Sequence, residues 1–156
     1  MSYSKLRNLL LFLPIVGLCI LFANPLPAQS AVEREVFKLV NQERAKKKRP
    51  PLVWDANLAR AARYHAADMA KDRYLKHDSY DRKNGKLIRT ERTFERIQRF
   101  DKAPRAENIA VGQRTPQQVM EDWMHSRSHR NNILSPLCTR IGVGYVKGYW
   151  VQDFGK

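Results

Sequence analysis

The sequence predicts an α+β fold, a three-layer α-β-α sandwich built around a small, largely antiparallel sheet. Apolar residues recur at helical spacing in three separate segments of the chain. Residues 141–146 and 149–154 form two short apolar runs joined by Lys147-Gly148, as in a β-hairpin with a two-residue turn. Because the helical segments precede and separate the strand segments, we expect helices on both faces of the sheet.

Residues 1–30 are predicted to be a signal peptide and residues 31–156 a single domain. A basic start is followed by an apolar run over residues 9–23, and Ala28-Gln29-Ser30 fits a small-x-small cleavage signal. Cleavage after Ala28 would instead keep Ser30, which is predicted to form a helix capping box with Glu33. The cut is therefore placed to within two residues. An uncleaved membrane anchor is the alternative, but the apolar run is shorter than the ~20 residues that span a bilayer.

The composition favours an exported protein with anionic partners. Cys19 lies in the predicted leader, so the exported chain keeps Cys138 alone and is stabilised by packing without an intrachain disulfide. The net charge is +14, and +12 remains without Lys5 and Arg7. Such a charge favours an anionic envelope polymer or acidic lipid as partner. No aromatic residue interleaves with the basic run 46–49, so no clear nucleic-acid site is predicted. We expect a monomer that is secreted or held at the cell envelope.

Three helices are predicted from their caps and apolar stripes. The first spans residues 32–46, and the second begins after the N-cap Asp55. The third begins at Thr115, with Pro116 at the first helical position, and is expected to end near Ser126. The apolar stripe of the first comprises Val32, Val36, Leu39 and Val40; that of the second, Leu58, Ala61, Ala62, His65, Ala66 and Met69; that of the third, Val119, Met120, Trp123 and Met124.

The middle of the chain carries weaker signals. Residues 80–90 are polar, and Asn84-Gly85 is predicted to form a turn. Residues 93–99 are predicted to form a short helix with Phe94 and Ile97 directed inward. Residues 106–112 alternate as a strand in which Glu107 is the ionisable residue of an otherwise apolar face.

Three side chains are candidates for a functional site. His77 follows the second helix, Glu107 lies near the start of a strand, and His129 follows the third helix on a short connection. Two neutral imidazoles and one carboxylate are a suitable set of ligands for a divalent cation with open positions for water. Of the remaining histidines, His65 is expected to be a hydrogen-bonded core residue and His125 to face solvent beside Glu121.

Several sequence blocks, taken together and in order, resemble the motifs of a known protein family. They are, in order, Leu39-Val-Asn-Gln-Glu-Arg44, Pro51-Leu-Val-Trp54, His65-Ala-Ala-Asp-Met-Ala70, His77-Asp-Ser79, Glu107-Asn-Ile-Ala110, Ser126-x-x-His129-Arg-x-Asn-Ile-Leu134, Ile141-Gly-Val-Gly144 and Trp150-x-Gln-Asp-Phe154. The chain resembles the CAP superfamily of cysteine-rich secretory, antigen 5 and pathogenesis-related proteins, most closely its compact bacterial secreted members. The resemblance implies a three-layer α-β-α sandwich.

The resemblance also implies a cavity lined by two histidines and two acidic residues that holds zinc or magnesium in some members. His77, Glu107 and His129 match three of these positions, and the fourth falls at or near Ser126. The expected metal ligands are His77 and His129. Because a hydroxyl replaces an acid, any divalent cation is expected to bind weakly.

Three functions follow as expectations. The first is a secreted, non-enzymatic binding module whose cleft is lined by His77, Glu107, His129 and Ser126. The second is a metal-assisted hydrolase in which His77 and His129 hold the metal and Glu107 acts as the base. The third is a lipid or sterol carrier, which requires an apolar groove.

Overall fold

A computed structural model describes residues 30–156, and the predicted signal peptide therefore lies almost wholly outside the described residues. The helices are α1 (Ala31–Lys46), α2 (Ala56–Asp72), α3 (Thr93–Gln98), α4 (Pro116–His125) and α5 (Arg127–Ile133). The strands are β1 (Val53–Trp54), β2 (Ser79–Lys83), β3 (Lys86–Glu91), β4 (Pro104–Val111), β5 (Arg140–Val146) and β6 (Tyr149–Gly155). Among these elements, no helix is both long and apolar enough to cross a membrane.

Four strands form the central sheet in the order β1-β5-β6-β4. The pairs β5–β6 and β6–β4 are antiparallel, while the short β1 runs parallel to β5. Lys147 and Gly148 both have positive φ angles, as a two-residue hairpin turn requires. The predicted fold class is confirmed, including the largely antiparallel sheet.

Helices cover the two faces of this sheet. Helix α2 packs on β5 and β6, and α1 and α4 pack on each other, with α1 also against β5. The approach of α2 depends on Gly142 and Gly144, since a Cβ at Gly142 would lie 2.0 Å from the backbone nitrogen of Ala59. Neighbouring residues of a strand point to opposite faces, so Ile109 and Val151 contact α2 while Ala110 and Trp150 belong to the core beneath α1 and α4.

The predicted helix starts are present. Ser30 and Glu33 form both hydrogen bonds of a capping box at the start of α1. The Asp55 side chain accepts from the backbone N–H groups of Asn57 and Leu58 at 2.8 and 3.0 Å, which starts α2. The Thr115 side chain accepts from the backbone N–H of Gln118 at the start of α4. These caps satisfy donors that a helix cannot satisfy within itself.

Two local predictions were wrong, and one pair of strands was not predicted. The turn predicted at Asn84-Gly85 is present and joins β2 to β3 in a β-hairpin, whose mostly polar strands carry too little hydrophobic alternation to be recognised. His129 lies within α5 rather than on a connection, since Ser126 interrupts the helix for one residue and serves as N-cap of the next. Phe94 is 47% exposed, and Arg96 takes the inward position beside Ile97.

A buried arginine fixes the end of α5. Arg44 of α1 donates to the carbonyl oxygens of Pro50, Ile133 and Ser135 at distances of 2.8 to 3.0 Å. These carbonyls belong to the segments that follow α1 and end α5. Arg44 therefore ties α1 to the segment that carries His129, and the helical pattern of α1 gave no sign of this role.

Candidate functional site

A cleft of about 630 Å³ lies where α3, the loop after α2 and β4 meet. Its lining combines acidic, basic and apolar side chains: His77, Asp78, Arg89, Arg92, Thr93, Phe94, Glu95, Gln98, Arg105, Ala106, Glu107 and Asn132. Two of the predicted site residues, His77 and Glu107, are among them. His129 and Ser126 lie outside this lining.

His77 and Glu107 are in direct contact at the base of the cleft. The Nδ1 atom of His77 lies 2.8 Å from Oε1 of Glu107. The His77 side chain is 52% exposed, whereas that of Glu107 is buried. Burial lowers the pKa of His77 below its usual 6.5, and the nearby Arg96 acts in the same direction. A neutral His77 that donates Nδ1–H to Glu107 leaves Nε2 as an acceptor, and that atom has no protein partner among the described residues.

Arg96 holds the other oxygen of Glu107. This arginine is buried, and its Nη2 group donates to Oε2 of Glu107. Its Nη1 group donates to the carbonyl oxygen of His77 at 2.7 Å and to the hydroxyl of Ser79 at 3.3 Å. One guanidinium thus fixes both the carboxyl group and the backbone of the histidine that contacts it. A planar group with five donors suits this task, and a lysine could not replace it.

A second buried carboxyl group, that of Asp153, faces Glu107. The two residues are direct partners across β4 and β6, so their side chains share one face of the sheet. Neither oxygen of Asp153 meets a donor among the described residues. Burial and the neighbouring Glu107 raise the pKa of Asp153 well above its ordinary range, and burial raises that of Glu107 to about 7. Two buried carboxyl groups side by side do not both ionise, and Arg96 favours the charge on Glu107, so Asp153 is the protonated one.

His129 reaches this region from the other side of β4. Glu107 and Asn108 are adjacent on the strand and therefore point to opposite faces. The side chain of Asn108 donates to the carbonyl oxygen of His129 at 3.2 Å, which places the backbone of α5 on the Asn108 face. His129 is half-buried, and its pKa is lowered by burial and by the proximity of His77. Ser126, the fourth predicted residue, contacts Ser128 at 3.2 Å between their hydroxyl oxygens.

In this arrangement Glu107 has no free carboxylate oxygen to offer a cation. Both oxygens of Glu107 are occupied, one by His77 and one by the positively charged Arg96, which repels a divalent cation. In the described part of the chain, one group of three acidic, histidine or cysteine residues brings its ligand atoms within 4.8 Å of one another. It comprises Asp68, Asp72 and Asp81, none of which lines the cleft. Metal binding by His77 and His129 stays a prediction.

Amide side chains fix α5 against the edge of the sheet. Asn132 donates to the carbonyl oxygen of Glu107 at 3.2 Å and to the side-chain oxygen of Asn108 at 2.8 Å. Asn108 also donates to the side-chain oxygen of Gln152 at 3.0 Å. Since β4 is an edge strand, the contact from Asn132 occupies a backbone carbonyl, that of Glu107, which could otherwise pair with another chain.

The sequence interpretation missed Arg96 and Asp153. Asp153 could have been found, because pairing residues 106–112 with the last strand places it opposite Glu107. Arg96 carried no such signal, since an arginine on a short helix usually faces solvent. His65 is buried as expected, and its Nε2 lies 2.9 Å from the carbonyl oxygen of Lys76 in the loop that carries His77.

Comparison with known proteins agrees with this architecture. The model of the cysteine-rich secretory protein family, CAP, matches residues 37–154. "Uncharacterized protein YkwD" of Bacillus subtilis (strain 168) is 39% identical over 129 residues, covering 80% of this chain and 47% of the relative. The chain thus spans about half the length of this relative.

Two solved structures resemble the fold. An extracellular protein containing a SCP domain from Bacillus anthracis str. Ames has a TM-score of 0.71 and 28% identity, covering 80% of this chain and 40% of that one. An outer surface protein from Borrelia burgdorferi has a TM-score of 0.69 over 83% of this chain and 95% of that one, and at 20% identity it supports the fold alone. Because the family model matches most of the chain, the chain belongs to the CAP, or cysteine-rich secretory protein, family.

Proposed function

We propose that this chain is a secreted, non-enzymatic binding module of the cell envelope that holds an anionic envelope component in the cleft above His77 and Glu107. The observation that carries the proposal is the set of internal contacts at the base of the cleft. Both oxygens of Glu107 are engaged by Arg96 and His77, and Asp153 is shielded behind them. These charges hold one another in place and shape the cleft, which leaves its outer side chains to contact a ligand.

Charge and relatives also support the proposal. The sequence carries a net charge of +14, which favours association with polyanions. The similar protein from Bacillus anthracis is described as extracellular and that from Borrelia burgdorferi as an outer surface protein. A basic module exported to the same environment would meet wall polymers and acidic lipids.

Retention on isolated cell envelopes tests the proposal. We expect His77→Ala to reduce retention several-fold, since His77 is the exposed polar group at the base of the cleft. His125→Ala is the matched control, because His125 is also exposed but lies at the end of α4 outside this cleft. Equal retention of both variants, or no retention of the unmodified protein, contradicts the proposal.

One observation favours a hydrolase as the second candidate. A histidine whose Nδ1 contacts a carboxyl group and whose Nε2 faces an open cleft has the arrangement of a general base. His77, rather than Glu107, would then accept the proton, without a metal. Release of soluble fragments from envelopes, lost in His77→Ala, would support this candidate, and unchanged envelopes after prolonged incubation would count against it. The lipid or sterol alternative stays a prediction.

A further inference from the structure

We infer that the cleft binds an acidic sugar unit, with the sugar ring on Phe94 and its oxyanion on Arg105. This inference rests on the proposed function and names the ligand class of the same cleft. An oxyanion here means a carboxylate or a phosphate, since the guanidinium of arginine binds both through paired N–H groups.

Arg105 is the cleft arginine that remains available for a ligand. Arg89 lies 3.3 Å from Asp78, and Arg92 lies 3.9 Å from Glu95. Arg105 is exposed and has no acidic partner within the described residues. The carboxyl group of Glu107 behind it is already compensated by the buried Arg96. An anionic group that enters the cleft therefore meets one uncompensated positive charge.

Phe94 provides an aromatic surface in the same cleft. It is one of the large apolar side chains of the protein that are exposed to solvent, at 47%. Its exposure agrees with the burial of Arg96, because two residues that are two positions apart on a helix point to roughly opposite sides. An exposed aromatic ring that the core does not need can contact the apolar C–H face of a sugar ring.

The remaining lining favours a sugar over a lipid chain. Phe94 and Ala106 are the apolar residues among those that line the cleft, whereas Thr93, Gln98, Asn132 and His77 offer polar groups. An acyl chain or a sterol needs a continuous apolar lining to gain from burial. A ligand with hydroxyl groups instead needs donors and acceptors, and the amide of Gln98 supplies both.

Binding of defined probes to residues 29–156 of the chain, measured by calorimetry, tests the inference. The probes are an oligogalacturonate, its methyl ester, a phosphorylated mannan fragment and polyglutamate. We expect the oligogalacturonate or the phosphorylated mannan to bind and the uncharged methyl ester to bind at least about tenfold more weakly, since the ester lacks the charge that strengthens a hydrogen bond to arginine. Which of the two acidic glycans binds better identifies carboxylate or phosphate as the oxyanion.

Matched variants locate the site. Arg105→Ala should weaken glycan binding about tenfold, whereas Lys47→Ala, an equal charge change in the loop after α1, should alter it less than about twofold. Phe94→Ala should weaken glycan binding but not polyglutamate binding, and Leu137→Ala, another exposed apolar residue, should change neither. Thermal unfolding of each variant confirms that it is folded.

Three results would overturn the inference. They are equal losses for Arg105→Ala and Lys47→Ala, equal effects of Phe94→Ala on glycan and polyglutamate, and no preference for either acidic glycan over the methyl ester. The envelope assay separates this failure from that of the proposed function. If retention still depends on His77 while the glycans fail, the ligand class alone is wrong, and if retention is absent, the proposed function itself fails.

Discussion

At the scale of single residues, the least expected feature is the buried charge at Glu107. A carboxylate without a partner in the interior is costly, and this one is held by Arg96 while the neighbouring Asp153 stays protonated. The arrangement leaves His77 neutral, with one ring nitrogen toward the cleft. The geometry of the cleft therefore depends on a residue, Arg96, that does not itself reach the cleft surface.

Removal of Arg96 should destabilise the fold strongly. In Arg96→Met the carboxyl group of Glu107 stays buried without its guanidinium, at an expected cost of about 3–5 kcal/mol. Urea unfolding of the variant measures the change in free energy. The control is Arg99→Met on the following turn, which loses an exposed contact with Glu91 at 3.1 Å and should cost under about 1 kcal/mol. Similar costs for both variants would show that the buried pair adds no stability.

His65 should make the fold sensitive to acid. Burial and the nearby Arg96 lower its pKa in the folded state to about 3, whereas the unfolded value is close to 6.5. Between these pH values the unfolded chain binds a proton that the folded chain does not. Stability is therefore complete above pH 6.5 and falls as the pH drops toward 3, by about 1.4 kcal/mol per pH unit.

Urea unfolding between pH 7 and pH 4 checks the contribution of His65. His65→Gln keeps a donor for the carbonyl oxygen of Lys76 but cannot be protonated, so its stability should fall less steeply with acid than that of the unmodified protein. His125→Gln, at an exposed site, should follow the unmodified protein. Parallel curves for all three proteins would exclude His65 as a source of the acid sensitivity.

At the scale of elements, the long helices and the β5–β6 hairpin could be predicted from the sequence. The short elements that connect them could not. The apolar stripes of α2 and α4 face the core as predicted, because apolar side chains at helical spacing share one face of the helix and are buried together. The strands of the β2–β3 hairpin escaped prediction because most of their residues are polar and the apolar Leu87 and Ile88 are adjacent, so no alternation marks a buried face. The end of α4 near Ser126 was predicted, but α5 was not, because the polar run 125–132 carries no apolar period that would indicate a further helix.

The residues of the candidate site that lie beside regularly patterned elements could be predicted, and the others could not. His77 and Glu107 are adjacent to strongly patterned elements, so their contact follows from the fold. Asp153 depends on the register between β4 and β6, and Arg96 on the direction of a six-residue helix, and neither is contained in local spacing. Phe94 was misplaced by the same short helix, because so few residues cannot distinguish its inner from its outer face.

The contact between α2 and β5 should tolerate no added side chain. In Gly142→Ala the new Cβ would lie 2.0 Å from the backbone nitrogen of Ala59, so that the helix must move away from the sheet. We expect a loss of about 3 kcal/mol or more, at the upper end for overpacked cores. The control in the same sheet is Gly155→Ala, whose nearest atoms belong to the flexible side chains of Arg140 and Leu58 at 3.1 Å. Equal denaturation midpoints for the two variants would contradict this account of the packing.

At the scale of the whole molecule, the N-terminus of the exported form should be set by the first helix. A chain that begins at Gln29 keeps Ser30 and its capping box, whereas one that begins at Ala31 loses both hydrogen bonds. Loss of such a cap costs about 0.5–2 kcal/mol. Intact-mass measurement of the secreted protein should show the shorter leader removed after Ala28. A mass that includes residues 1–28 would contradict the prediction of a cleaved signal peptide.

The net charge of the whole chain should govern how it associates with polyanions in general. Positive residues lie in the loop after α1, on the β2–β3 hairpin and along the segment that leads into β4, so no single variant removes the attraction. Such contacts are screened over about 8 Å at physiological ionic strength, and each ion released on binding makes the affinity depend more steeply on salt.

Retention on a sulfonated polymer should therefore fall steeply between low and high salt, to a similar extent in the Arg105→Ala and Lys47→Ala variants. A cleft contact would survive better in salt than this general attraction, because a ligand in the cleft is partly shielded from solvent. If the affinity for the sulfonated polymer did not change with salt, charge would not be the cause of the association.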